Sequence, residues 1–260
     1  MTPAPLHVAV DGAPDAPVLV LGSSLGSTAA MWDAQVPALA ERFRVLRYDH
    51  RGHGGSPAPP GDYTIADLGG DLLMTLDELG VERAHHGGLS LGGMVAMWVA
   101  SHEPQRVDRL ALVSTSALLG PADMWRARAT AVRAGGMAAI ADTVVERWFT
   151  PEFAAEHPQV VERSREMLLS SDVAGYAACC AAIAAMDQRG DLPRVTAPTL
   201  VVAAAQDPST PPEHAQEIAR HIAGARLEVL NDGAHLVNIE RPEQVSALLL
   251  DHFSATGGGT

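Results

Sequence analysis

The feature that most constrains this chain is an alternation. Short apolar runs, at residues 6–10, 18–21, 44–48, 83–87, 107–113, 199–203 and 226–230, are separated by stretches of helical periodicity. Strands interleaved with helices fold into a mostly parallel sheet covered on both faces, because each parallel crossover needs a helix-length connection that packs back onto the sheet. One helix is especially well marked over 64–79, where Ile65, Leu68, Leu72, Leu76 and Leu79 recur every three or four residues. Thr64 and Asp67 stand where a capping pair would open it. A last helix is expected from Pro242, turning Val245, Leu248, Leu249 and Phe253 inward.

The alternation breaks once. From 118 to 192 there is no strand pattern, only an Ala-, Arg- and Met-rich helical one interrupted by Pro151, Pro158 and Gly175. The expected organisation is therefore a core of residues 1–117 and 193–260 with a helical insertion, 118–192, at one end of the sheet. Such a block is either a lid over a site or a set of additional packing helices. The Gly257-Gly258-Gly259 tail reads as a flexible end.

Composition narrows the partners. The 260 residues suit one α/β domain with an inserted subdomain. The net charge is −13 and all 18 basic residues are arginine, a balance that argues against nucleic acid or an anionic membrane surface as partner. A small anionic substrate stays open, since one buried arginine can dominate a pocket. The most apolar windows, 89–100 and 247–250, are too short to span a bilayer, and Met1-Thr2-Pro3-Ala4-Pro5 has no basic segment followed by an apolar run. The two cysteines, Cys179 and Cys180, are helical neighbours pointing different ways and cannot bridge each other, which fits a cytoplasmic setting. No ligand set for a metal is present, and no cofactor is expected.

Chemistry concentrates at Gly88-Leu89-Ser90-Leu91-Gly92, which follows an expected strand and opens an expected helix. A serine there sits in a strained turn that lifts its Oγ clear of the backbone, and the small residues flanking it let strand and helix approach. The helix N-terminus directs amide donors at developing negative charge. If the order is nucleophile, acid, base, the base comes late, and His235 follows the last strand in Asn231-Asp232-Gly233-Ala234-His235. His85 and His86 alternate across a strand and cannot share one site, while His50, His53, His102, His157, His214, His221 and His252 read as solvated residues of turns and helices. For the acid, Asp207 opens the loop after strand 199–203. Its competitor Asp232 fits better as a turn residue, and the loop after 107–113 offers only Ser114-Thr115-Ser116.

An oxyanion hole would take one amide from Leu91 and a second from the loop Gly22-Ser23-Ser24-Leu25-Gly26, with Leu25 the first choice and Ser24 the reserve. As a phosphate loop this segment lacks the Gly-Lys-Ser/Thr ending. Asp49-His50-Arg51-Gly52-His53-Gly54-Gly55-Ser56 reads as a tight structural turn in which Arg51 ties down backbone carbonyls.

With these residues assembled, the chain resembles the 3-oxoadipate enol-lactonases, members of the α/β-hydrolase family. The likeness includes Ser23-Ser24-Leu25-Gly26, Leu46-Arg47-Tyr48-Asp49, Arg51-Gly52-His53-Gly54 and Gly88-Leu89-Ser90. It continues in the helical block through Gly136-Met137, Arg147-Trp148-Phe149-Thr150 and Gly175-Tyr176, then Asn238-Ile239-Glu240-Arg241. It departs at Leu91, where many members carry methionine, and around Gln206-Asp207-Pro208-Ser209. The resemblance implies an α/β-hydrolase fold with a helical lid, a Ser90–His235–Asp207 triad, and a five-membered enol-lactone substrate with one acetate arm. That substrate asks for one cation and flat apolar walls, for which Arg133, Trp125 and Trp148 are the candidates, with Arg126 and Arg128 as rivals and Ser24 beside the nucleophile. The same triad would also serve another small lactone or ester, or a carbon–carbon bond in a ring-cleavage product, and the fold can act as a non-catalytic receptor. Haloalkane chemistry would need an aspartate in place of Ser90.

Overall fold

The computed structural model describes residues 2–255, so the glycine tail lies outside the described residues. Seven strands form one sheet: β1 (Val8–Asp11), β2 (Val18–Gly22), β3 (Arg44–Tyr48), β4 (Ala84–Leu89), β5 (Val107–Val113), β6 (Thr199–Ala204) and β7 (Arg226–Leu230). Their spatial order is β1-β3-β2-β4-β5-β6-β7. Only the edge pair β1–β3 is antiparallel; every other pair is parallel. The helices of the core are α1 (Val36–Leu39), α2 (Ile65–Glu78) and α3 (Leu91–His102), then α9 (Pro212–His221), α10 (Val237–Glu240) and α11 (Pro242–Ser254). Between β5 and β6 run α4 (Ala122–Gly135), α5 (Ala141–Val145), α6 (Pro151–Glu156), α7 (Pro158–Leu169) and α8 (Val173–Ala185), with no strand among them. No single helix among the described residues is long and apolar enough to cross a membrane.

Two expected strands shift. Residues 6 and 7 precede β1 because their amides go to side chains: Leu6 N–H to Thr75 Oγ1 and His7 N–H to Ser56 Oγ. β4, expected to end at residue 87, has Gly87 paired with Leu21 and Gly88 with Gly22 and runs on to Leu89, immediately before Ser90. These glycines are a packing requirement rather than a stop. A Cβ on Gly88 would collide with the backbone of Gly92, and one on Gly92 would collide with that of Gly22. The central helix can therefore lie directly on the sheet.

α2 opens with the expected box: Thr64 Oγ1 accepts from Asp67 N–H, and the Asp67 carboxylate accepts from Thr64 N–H. Its Ile65, Leu68, Leu72 and Leu76 are buried. α11 begins at Pro242 and buries Val245, Leu249 and Phe253, with Leu248 partly covered. Cys179 and Cys180 are free and buried in α8.

Arg51 does not act chiefly on carbonyls, as the sequence suggests. Its guanidinium is fully buried and paired with the equally buried Asp71 of α2, while also donating to Thr2 O at 3.1 Å and lying 5.1 Å from the Tyr63 ring centre. Asp71 also accepts from Ala4 N–H at 2.7 Å. Removing one partner of a buried pair strands the other charge. Asp71→Ala is expected to lower unfolding stability by about 3–5 kcal/mol, read as a shift in urea midpoint at constant slope.

Candidate active site

The residues with chemistry gather at the carboxyl ends of the strands. Ser90 follows β4 and carries φ 57° and ψ −115°, a strained conformation for a non-glycine residue. The strain is held from both sides: Ser90 N–H donates to Val113 O at 3.0 Å, and Thr115 Oγ1 donates to Ser90 O at 2.7 Å. α3 then starts at Leu91, so Ser90 stands at the positive end of a buried helix.

Asp207 follows β6 and is buried in the loop before α9. One carboxylate oxygen, Oδ1, accepts from the amides of Ser209 at 2.7 Å and Thr210 at 3.0 Å. The other, Oδ2, accepts from Thr210 Oγ1 at 2.6 Å and from His235 Nδ1 at 2.8 Å. Burial pushes the Asp207 carboxyl upward, but the charge and hydrogen bond of His235 and the Thr210 bonds outweigh it and hold the group below the usual carboxylate range. A carboxylate at Nδ1 fixes the proton there and leaves Nε2 of His235 as the nitrogen able to accept one. Asp232, the competing acid, is exposed.

The loop carrying His235 is tied to the helical segment. Glu240 is buried; one of its oxygens takes Ala234 N–H, and the other takes Thr150 N–H at 2.7 Å and Thr150 Oγ1 at 2.9 Å. Leu236 N–H donates to Trp148 O at 2.9 Å. Glu240 is visible in the sequence only as part of a motif; nothing local marks it as a loop anchor.

Ser90 and His235 line one cavity of about 240 Å³ together with Ser24, Leu25, Trp125, Arg128, Arg147, Trp148, Tyr176 and His214. A larger groove of about 590 Å³, between Met31, Val160, Met167 and Ile239, contains neither Ser90 nor His235. Along the loop after β2, Ser24 N–H is taken by the Met31 sulfur at 3.2 Å, Gly26 N–H by His53 Nε2 at 2.9 Å, and Ser27 N–H by Ser24 O at 3.1 Å. Leu25 N–H has no protein partner among these and, unlike Ser24 N–H, is left available as a donor. Leu91 is not itself part of the wall, but its amide is the first of α3, directly after Ser90.

Several sequence expectations need correction. Arg133 does not face the cavity: it is exposed on α4 and pairs with Asp62 at 2.6 Å. Arg126 is likewise exposed and pairs with Asp123. The cavity's cations are Arg128, stacked 4.5 Å from the Trp125 ring centre, and Arg147, and neither has a carboxylate partner among the described residues. Trp125 and Trp148 do form walls, and Trp125 Nε1 donates to Leu119 O at 2.9 Å. His214 is half-buried against the cavity and bonds Ser116 Oγ through Nδ1 at 2.7 Å, while His50, His53 and His252 are buried. Of the histidines read as solvated, His102, His157 and His221 are the ones at the surface. His86 is buried in β4 away from this cavity.

A strained serine between a parallel strand and a buried helix, with a carboxylate from the end of β6 and a histidine from the end of β7, is the arrangement of a hydrolase site. The chain belongs to the α/β-hydrolase fold family, whose profile matches residues 16–242. Within that family it is a carboxylic ester hydrolase similar to 3-oxoadipate enol-lactonase 2 of Acinetobacter baylyi, 40% identical over 92% of this chain and 89% of that protein. The crystal structure of the enol-lactonase from Burkholderia xenovorans LB400 superimposes with a TM-score of 0.94 at 41% identity, covering 96% of each chain. A protein named as the carbamate hydrolase RutD of Stutzerimonas stutzeri is 33% identical over 94% of both chains.

Proposed function

We propose that this protein opens the lactone ring of 3-oxoadipate enol-lactone, releasing 3-oxoadipate by an acyl-enzyme route. The observation that carries the reading is the pairing of Ser90 and His235 with two carboxylate-free arginines in a single small cavity. The reading is supported by the relatives named as enol-lactonases. In this scheme His235 Nε2 takes the Ser90 proton as Oγ attacks the lactone carbonyl. The amides of Leu25 and Leu91 hold the oxyanion; one such donor lowers a barrier by about 2.7–4 kcal/mol. The ring oxygen leaves as an enolate that takes up the proton held by His235 and becomes a ketone, which frees the imidazole and makes ring opening hard to reverse. Water deprotonated by His235 then releases the acid. Asp207 holds the imidazole tautomer and stabilises its cation. Residues 118–192 act as a cap, supplying Trp125, Arg128, Arg147 and Trp148 to the cavity.

The substrate's acetate carboxylate binds Arg128 and Arg147, with the indoles as flat walls. A hydrogen bond to a charged group is worth about 1.5–3 kcal/mol, so Arg147→Ala is expected to cost the enol-lactone roughly 10- to 150-fold in kcat/KM. A neutral lactone lacking the carboxylate should change little in the same variant. Steady-state kinetics on both substrates is the test, and equal kcat/KM for the two in the unmutated enzyme would remove this substrate. The RutD-like relative favours a second reading, cleavage of a small carbamate by the same groups. Faster turnover of a carbamate than of the lactone would select it.

A further inference from the structure

The loop after β2 is held from behind by two buried histidines that take no part in the proton transfers above. His50 Nε2 lies 2.9 Å from Ser23 O, an acceptor, so this nitrogen carries a proton and donates. His53 Nδ1 lies 2.8 Å from Arg51 O and therefore also donates. That leaves Nε2 of His53 as a bare acceptor for Gly26 N–H at 2.9 Å. Burial keeps both rings from protonating: His50 is lowered to about 3, and His53 is lowered as well.

The surroundings leave this ring little freedom. It packs tilted against Tyr176 at 6.2 Å and edge-on to His50 at 6.3 Å. Gly26, at φ +78°, has Leu168 of α7 and Tyr176 of α8 directly over the place a Cβ would occupy. At the residue before His53, Asp172 N–H donates to Gly52 O at 2.8 Å, and a Cβ on Gly52 would meet the Cα of Gly175 at 2.5 Å. The turn carrying His53 thus joins the loop of Leu25 to the helical segment 118–192. An amide plane has two ends. Fixing Gly26 N–H fixes the Leu25 carbonyl with it, and holding the Ser23 carbonyl and Ser24 N–H fixes the peptide plane two residues earlier. Between these anchors the Leu25 N–H is aimed without being consumed.

We propose that His53 is a positioning residue for the oxyanion site: as a neutral imidazole protonated at Nδ1, it takes the Gly26 amide and thereby holds the neighbouring Leu25 amide toward the carbonyl oxygen attacked by Ser90. This deepens the hydrolytic reading and rests on it. An ammonium or guanidinium at the same place would present only donors to Gly26 N–H, and an aliphatic side chain would present nothing. Preorganised donors act only on the charge that develops in the transition state, so loss of aim falls on kcat and leaves ground-state binding alone.

The test uses His53→Ala and His53→Gln in the full chain, with p-nitrophenyl acetate as substrate and kcat counted per serine titrated by a fluorophosphonate. His53→Ala is expected to lose about 10- to 100-fold in kcat, a part of what removal of an oxyanion donor costs, with KM within about twofold. Affinity for a boronic acid that forms a tetrahedral adduct on Ser90 should fall by a similar factor, and His53→Gln, whose amide oxygen still accepts, should recover part of both. An unchanged kcat per titrated serine, or unchanged boronate affinity, overturns the proposal. A second measurement needs no substitution: NMR of the unmutated protein should show a through-hydrogen-bond nitrogen–nitrogen coupling between Gly26 N and His53 Nε2, and its absence overturns the assignment. Failure of the hydrolytic reading looks different, since the unmutated chain would then neither turn over the ester nor take up the fluorophosphonate.

Discussion

Ser90→Ala is expected to lower kcat on the order of 10⁶-fold while substrate still binds within a few-fold. Two other serines, Ser24 and Ser209, line the cavity, but neither occupies the turn between β4 and α3. Of these three serines Ser90 alone is held at positive φ, by the Val113 carbonyl and the Thr115 hydroxyl. Alanine at that position carries the same backbone strain as serine, so the elbow should persist and the melting temperature should barely move. The oxyanion donors and the binding groups would remain, and with them a residual rate of about 10³–10⁴ over water. The measurements are single-turnover kinetics and mass spectrometry after fluorophosphonate treatment: one adduct on the unmutated chain, none on the variant. A variant keeping even about a tenth of the rate would mean that Ser90 is not the nucleophile.

The elbow is legible in the sequence because its steric demand is written locally. The contacts of Gly88 with Gly92, and of Gly92 with Gly22, require glycine at those spacings, and Leu91 begins a helix apolar on every side. Strand order makes Asp207 and His235 legible, since each follows a strand ending at the same edge of the sheet. The cations of the cavity are not legible in the same way. Trp125 and Arg128 are three residues apart and share a face of α4, whereas Arg133, five beyond Arg128, is rotated well away from it. A short helix rich in alanine and arginine does not announce which face meets the cavity. Arg147 lies just past α5, outside any periodic pattern. The buried and half-buried histidines escape for another reason. His214 is fixed by Ser116, 98 residues away, and His53 by Gly26, 27 away, so their burial is decided by partners no local window contains. Arg51 misleads likewise, because its partner Asp71 is a carboxylate buried within the face of a helix recognised by its leucines.

Asp207→Asn is expected to lower kcat by about 10⁴-fold with the fold intact, for reasons the hydrogen bonds make specific. The two backbone amides of Ser209 and Thr210 both point at Oδ1, so an asparagine must keep its carbonyl oxygen there. Its NH₂ then faces Thr210 Oγ1 and His235 Nδ1, where Oδ2 stood. The threonine hydroxyl can rotate to accept, but His235 can accept only by giving up its Nδ1 proton. The imidazole then carries its hydrogen on Nε2, the nitrogen that must receive the serine proton, and cannot act as base. The carboxylate also contributes stability of its own. Its folded-state pKa is depressed, so that stability is present above the unfolded value, near 3.9, and drains away as pH falls through the lower folded one. Urea midpoints of the unmutated chain and the Asp207→Asn variant, measured from neutral pH downward, should therefore converge at the acid end, while at neutral pH the unmutated chain stays ahead. Alanine in the same place would instead leave two buried amides and a hydroxyl unpaired and lose stability at every pH. Should Asp207→Asn retain about a tenth of the unmutated kcat, the carboxylate would not be setting the tautomer of His235, and the proton path from Ser90 would have to be drawn without it.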